Sequence, residues 1–244
     1  HPGEGRVLLA YVGDRLLREA VDLAQRFGTG IHIHAAEDPV DQDETLARYG
    51  CRVVERLDRA GALESSRTIL AHCLHLSDEE RALIGRSRAW VAHNVESNLN
   101  NGVGLPSARG LGERVLLGTD GMHSDMLRAA QAYYFTLASR EKCTPADVYA
   151  RLRATERWVT SANFAMAGTD GLAIFDYPTR TELTDANVLS HLLYGLTSAH
   201  VNSVVSGGRF VLKDRVVMTV DEGQVHARAR AAASRLWNSL QRGA

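Results

Sequence analysis

The chain has little cysteine, no surplus of charge of either sign and no long apolar run. Its three cysteines, Cys51, Cys73 and Cys143, form no C-x-x-C pair. So odd and scattered a set fits reduced thiols in a cytoplasm rather than a disulfide framework, and all three are expected in the core. Lys and Arg total 28 against 29 Asp and Glu, a formal net charge of -1. Nothing in that balance draws the chain to nucleic acid or to an anionic membrane surface. No apolar stretch is long enough to span a bilayer. G-x-S-x-G, the P-loop and G-x-G-x-x-G are also missing, which removes the common serine-hydrolase, NTPase and dinucleotide readings. There is no internal repeat and no low-complexity segment. What is present is an ordinary globular composition: 244 residues, 45% hydrophobic and 23% charged, enough to bury a sizeable core. The implied partner is a small molecule or another protein. The chain opens His1-Pro2-Gly3-Glu4-Gly5 with neither Met nor a signal segment, and reads as part of a longer polypeptide.

Periodicity places the elements. Leu17, Ala20, Val21, Ala24 and Phe27 follow helical spacing, with Asp14 as N-cap and Gly28 as the stop. A β-type run covers 30–37 (GIHIHAAE), and one helix is expected over 44–59. Further strands are expected at 68–76, 89–93 and 114–120. Ser77 and Glu80 form an S-x-x-E capping box that opens a helix, another helix covers about 125–139, and Thr144 caps a third with Pro145 at its first position. Strands alternating with helices at this spacing predict parallel β/α units. After Gly168 the period changes: 171–177 reads as a strand, 202–217 as two strands turning around Ser206-Gly207-Gly208, and about 222–240 as an amphipathic helix.

The chemistry lies where apolar strands finish in polar residues: His34 with Glu37, His72, His93 with Asn94, and Asp120. These four positions are 38, 21 and 27 residues apart, about one β/α unit each. In a parallel β/α barrel such strand ends converge on one mouth. Imidazoles with a carboxylate make a first-row metal site, at which bound water becomes a nucleophile near neutral pH. Singly, each histidine has an alternative as a hydrogen-bonded core or rim residue. His32 shares a strand face with His34 and is either a chelating partner or a deeper packing residue. His75 and His123 lie a turn beyond their strands, where they line a pocket.

At these residues the chain resembles the amidohydrolase superfamily, in its cytosine/guanine deaminase and chlorohydrolase branch. The matching motifs are IHIHAAE (31–37), ILAHCLHL (69–76), VAHNVESN (91–98) and LLGTDG (116–121), in that family's order and spacing. The resemblance implies that His34 and Asp120 are metal ligands and that Glu37, His72 and Asp120 are catalytic. Glu37 passes protons to a ring nitrogen, His72 lies over the reacting water or carbon, and Asp120 accepts the water proton. His93, Asn94, Ser97, Asn98 and His123 are implied as substrate-binding or supporting residues. The segments HIHAAED and HLLYGL are similar to aminohydrolases associated with selenium-dependent purine catabolism.

The implied fold is the C-terminal half, strands 5–8, of a (β/α)8 TIM barrel over 1–167. It is joined to part of a small β-sandwich over 168–220 and a C-terminal helix over 221–244 that packs on the barrel. The implied activity is hydrolytic deamination of an aminated heterocycle with one divalent metal ion, zinc or iron(II); homo-oligomerisation stays open. Two features depart from the family. Its upstream His-x-His strand and first four strands are absent, so a preceding half is expected to supply them. The join after Met166 is short, which fits either residues absent near Ala167-Gly168 or a natural deletion. The alternative from another class is a non-catalytic half-barrel acting through a partner chain.

Overall fold

The computed structural model describes residues 12–163 and 171–242; the opening residues and the join at 166–168 lie outside them. The chain divides into two compact units. One comprises His1–Ala167 with Leu183–Leu196, and the other Gly168–Glu182 with Thr197–Ala244. The first unit thus takes in 183–196, a stretch grouped above with 168–220.

In the first unit four parallel strands pair in chain order: β1 (His32–Ala35), β2 (Ile69–His72), β3 (Trp90–His93) and β4 (Val115–Leu117). The register sets Ala35 beside His72 and His93 beside Leu117. Side chains alternate across each strand, so one parity faces each side. Leu70, Val91 and Val115 join Leu17, Val21, Val53, Leu57 and Ile84 in the main core. These residues come from α1 (Asp14–Arg26), α3 (Val53–Arg59) and α4 (Asp78–Arg86). On the other parity Ile69, Trp90 and Leu116 pack against Ala154 and Trp158 of α7 (Pro145–Ser161). A third cluster joins Leu117 to Tyr133 and Leu137 of α6 (Met126–Glu141).

Two expectations about the first unit's helices change. Asp14 is the first helical residue, and Gly13 occupies the N-cap position. The single helix over 44–59 is two, α2 (Pro39–Tyr49) and α3. Asp38 caps α2 reciprocally with Asp41, and Gly50 ends it in the left-handed conformation at φ +64°, which a glycine adopts without steric cost. The segment after β3 is a short helix, α5 (Val95–Asn101), closed by left-handed Gly102. The expected box at Ser77 and Glu80 is present and opens α4. Glu80 is fully buried, and its carboxylate also accepts from Gln42 Nε2, Arg52 Nε and the Val54 amide. One buried acid thereby ties α2, α3 and α4 together, with its charge paired and its lone pairs used. Cys51 and Cys73 are buried, whereas Cys143 is half-buried; none forms a disulfide.

The second unit holds an antiparallel sheet of β5 (Leu172–Phe175), β6 (Val201–Ser206), β7 (Arg209–Lys213) and β8 (Val216–Val217). A short helix α8 (Val188–Ser190) runs into a π turn and belongs to the first unit. The last helix, α9 (Glu222–Arg242), buries none of its residues within the chain. Among the described residues no helix is long and apolar enough to cross a membrane.

Candidate active site

The carboxyl ends of the parallel strands carry the polar residues singled out in the sequence. His34 is the third residue of β1, Glu37 lies two residues past that strand, His72 ends β2, and Asp120 lies three residues past β4. Ligand-capable atoms of His34, Glu37 and His72 all lie within 4.8 Å of one another. The His34 and His72 rings stack, with centroids 4.9 Å apart. His72 Nδ1 is 3.8 Å from Glu37 Oε1, and its Nε2 is 4.0 Å from Asp120 Oδ2. His72 thus stands between two carboxylates. His72 and Glu37 are buried, while His34 and Asp120 open to solvent.

Local backbone geometry aims these groups. His72 has φ +70° and Asp120 φ +53°, both left-handed. That conformation costs a side chain-bearing residue about 1–3 kcal/mol and persists only where the surroundings enforce it. Ser97 Oγ donates to Asp120 Oδ2 at 2.6 Å and the Gly121 amide donates to Oδ1 at 2.8 Å. The Ser97 bond is the main cause of a carboxyl pKa held below the usual range, reinforced by the Gly121 amide against the opposing effect of burial. Asn98 Nδ2 bonds His72 Nδ1 at 2.8 Å. Asp41 accepts from the amides of Glu37 and Asp38, so it fixes the backbone that carries Glu37. Burial raises the Asp41 pKa, while those two amides oppose the shift.

A cavity of about 380 Å³ is lined by His34, His72 and Asp120 of this cluster together with His32, Asn94 and Trp158, among others. His32 lines the cavity beside His34 and is exposed. The remaining histidines stand elsewhere. His93 is buried and stacks on Tyr133 with centroids 6.0 Å apart, and neither ring nitrogen has a hydrogen-bond partner among the described residues. His123 Nε2 contacts Glu96 Oε2 at 2.6 Å, and Glu96 also pairs with Arg128. This group fastens the loop after β4 to α5. His75 Nε2 meets the Val103 carbonyl at 2.7 Å. Sequence reasoning missed Asp41, Glu96 and Trp158. Only Asp41 left a signal, as the third residue after the Asp38-Pro39 helix start.

The amidohydrolase family profile matches residues 11–200. The chain belongs to the amidohydrolase family. Among its relatives, a 5-methylthioadenosine/S-adenosylhomocysteine deaminase from Pelotomaculum thermopropionicum is 32% identical over 238 residues, covering 91% of this chain and 54% of that protein. A deaminase of the same description from Syntrophomonas wolfei is 30% identical over 240 residues, covering 90% and 55%. The chain therefore spans about half the length of the curated relatives it matches. A zinc-bound adenosine deaminase from Xanthomonas campestris superposes with a TM-score of 0.81 at 24% identity, covering 93% of this chain and 55% of that one. At that identity the likeness speaks for the fold. The parallel sheet with its helices is accordingly half of the family's (β/α)8 barrel, accompanied by the antiparallel sheet.

Proposed function

We propose that the complete protein carries out metal-dependent hydrolytic deamination of an aminated heterocycle, and that this chain supplies the acid–base half of its centre. The observation that carries the reading is the meeting of His34, Glu37 and His72 within 4.8 Å, with Asp120 beside His72. Imidazole with carboxylate is a donor set that suits zinc and iron(II) alike. Of these residues, His34 and Asp120 would hold the ion, and a preceding half of the barrel would complete the three or more protein ligands that such a centre takes. When bound, the ion supplies Lewis acidity that makes water nucleophilic near neutral pH.

The chain's own residues move the protons. Glu37 is buried and stands at the cluster, placed to protonate a ring nitrogen as the adjacent carbon is attacked. Asp120, kept as a carboxylate by Ser97, takes a proton from the attacking water and delivers it to the leaving amine. One C–N bond is replaced by C–O, and ammonia departs. His72 lies between the two acids and orients the attack.

The deaminase names of the curated relatives support this class. The resemblance of HIHAAED and HLLYGL to aminohydrolases associated with selenium-dependent purine catabolism favours a purine-like ring. The three unpaired thiols fit a reducing cytoplasm. The test is ammonia release by the complete protein from guanine, oxidised purines, pterins, triazines, 5-methylthioadenosine and S-adenosylhomocysteine, alongside its metal content. Turnover of one of these with bound zinc or iron is expected. A protein that holds no metal and releases no ammonia from any of them would overturn the reading.

A further inference from the structure

We infer that Glu96 is a positioning residue for Asp120: through His123 and Arg128 it clasps the loop 120–125 onto α5 and so sets where the Asp120 carboxylate stands. What that carboxylate does there rests on the deaminase reading above, whereas the clasp is read from side-chain geometry alone.

The loop between β4 and α6 needs holding. Asp120 at φ +53° and Ser124 at φ +57° are both left-handed, so the chain turns through two positions that side chain-bearing residues occupy only where neighbouring contacts enforce them. Those contacts come from two consecutive residues of α5. Ser97 Oγ donates to Asp120 Oδ2 at 2.6 Å and grips the near end of the loop. Glu96 Oε2 meets His123 Nε2 at 2.6 Å, three residues further on. The Asp125 amide donates to the other ring nitrogen, Nδ1, at 3.0 Å, so the His123 ring bridges α5 to the N-cap of α6. Asp125 in turn accepts from the Leu127 and Arg128 amides. The Arg128 side chain then returns to Glu96, its Nε donating to Oε1 at 2.8 Å. One carboxylate thereby closes a circuit through the loop and the start of α6, with a different oxygen for each partner.

Burial makes the circuit hold. The Glu96 and His123 side chains are only 17% and 18% exposed, unlike the open surface pairs whose contacts are worth little. A carboxylate so covered is poorly solvated once it loses a partner, and the loop is therefore not free to swing off α5. Of the two groups that bond the Asp120 carboxylate, the Gly121 amide belongs to the loop itself and moves with it, while Ser97 fixes one oxygen only. Glu96 supplies the second anchor that a defined orientation requires. Groups that orient a metal-ligating side chain in this way are worth about ten- to a hundredfold in metal affinity.

The experiment compares the complete protein with Glu96→Gln, His123→Ala and the double variant. Glu96→Gln keeps the size of the side chain but turns one of its two acceptor oxygens into a donor, so it cannot serve both partners in their present places. In the metal-free proteins, hydrogen exchange of 121–125 should quicken about tenfold or more in each variant, since exchange reports local opening, while β1, β2 and β3 keep their wild-type protection. Competition with a chelator should show zinc held about ten- to a hundredfold more weakly. The double variant should hold it no more weakly than the worse single one, because both changes cut the same connection. Wild-type exchange of the loop, wild-type zinc affinity, or single losses that multiply in the double variant would each overturn the inference. Arg128→Gln, at a more exposed residue, gives the same reading where another variant does not fold. A loop freed in the variants of a protein whose wild type holds no zinc would uphold the clasp and defeat the metal-dependent reading instead.

Discussion

Gly118 leaves the space that the side-chain oxygen of Asn94 occupies: a β-carbon at Gly118 would lie 2.2 Å from Asn94 Oδ1. The two residues sit just past neighbouring strands, where the Gly118 amide donates to the His93 carbonyl. The Asn94 backbone is held, since its carbonyl receives the Asn98 amide that starts α5, so its side chain must turn to clear the added carbon. Gly118→Ala should therefore lower the Tm of the complete protein and disturb α5 together with Asp120. Adding Asn94→Ala to that variant should recover most of the lost Tm by vacating the same space. A Gly118→Ala protein with unchanged Tm and turnover would show that the approach is not tight.

On the proposed mechanism, a change at Glu37 should separate metal retention from proton transfer. Glu37→Gln keeps the size and the neighbourhood of His34 while removing the acid, so bound zinc or iron should stay. Turnover should fall by about a hundredfold or more, the usual size of an acid–base contribution. Metal analysis next to steady-state kinetics checks both halves, and unchanged kinetics would reassign Glu37 to packing.

The sequence discloses what local chemistry dictates and hides what depends on long-range approach. Reciprocal caps such as Ser77 with Glu80 and Thr144 with Asp147 are written within four residues, so those helix starts were legible. Gly50 was not read as a break because a single glycine in a periodic run is often tolerated, although Asp38-Pro39 already announced a helix start. α5 escaped because seven mostly polar residues carry no apolar period. In the site, His34, His72 and Asp120 were legible as polar residues ending apolar strands. Trp158 was not, because nothing local indicates that α7 packs on Ile69, Trp90 and Leu116. Asp41 was legible only as the residue that closes the Asp38-Pro39 helix start; that it also holds the Glu37 amide is a contact no side-chain pattern records.

Ser97 should set the acid limb of activity. Its hydroxyl is the main cause holding the Asp120 carboxyl below its usual range, and a hydrogen bond to a charged group is worth about 1.5–3 kcal/mol. Ser97→Ala removes that donor, so Asp120 protonates at a higher pH. The activity lost on acidification should then disappear at a higher pH than in the wild type, while the alkaline limb stays in place. An acid limb that does not move in a pH–rate profile of the variant would mean that Asp120 is governed by other groups.

His93 should make the fold acid-sensitive. Burial holds its pKa down to about 3, and the charges of Arg151 and Arg81 and the neighbouring His72 push the same way. In the unfolded chain an ordinary histidine titrates near 6.5, so between these values the unfolded state binds a proton that the folded state refuses. Stability from this group is therefore complete above about pH 6.5 and is lost as pH falls toward 3. His93→Phe keeps a ring against Tyr133 and removes the titration. Urea unfolding of the complete protein at pH 7 and pH 4.5 isolates the effect, because titrations common to both proteins cancel in the comparison. The wild type should lose about 2 kcal/mol more than the variant over that interval. Equal losses would show that His93 takes up its proton in the folded state as readily as in the unfolded one.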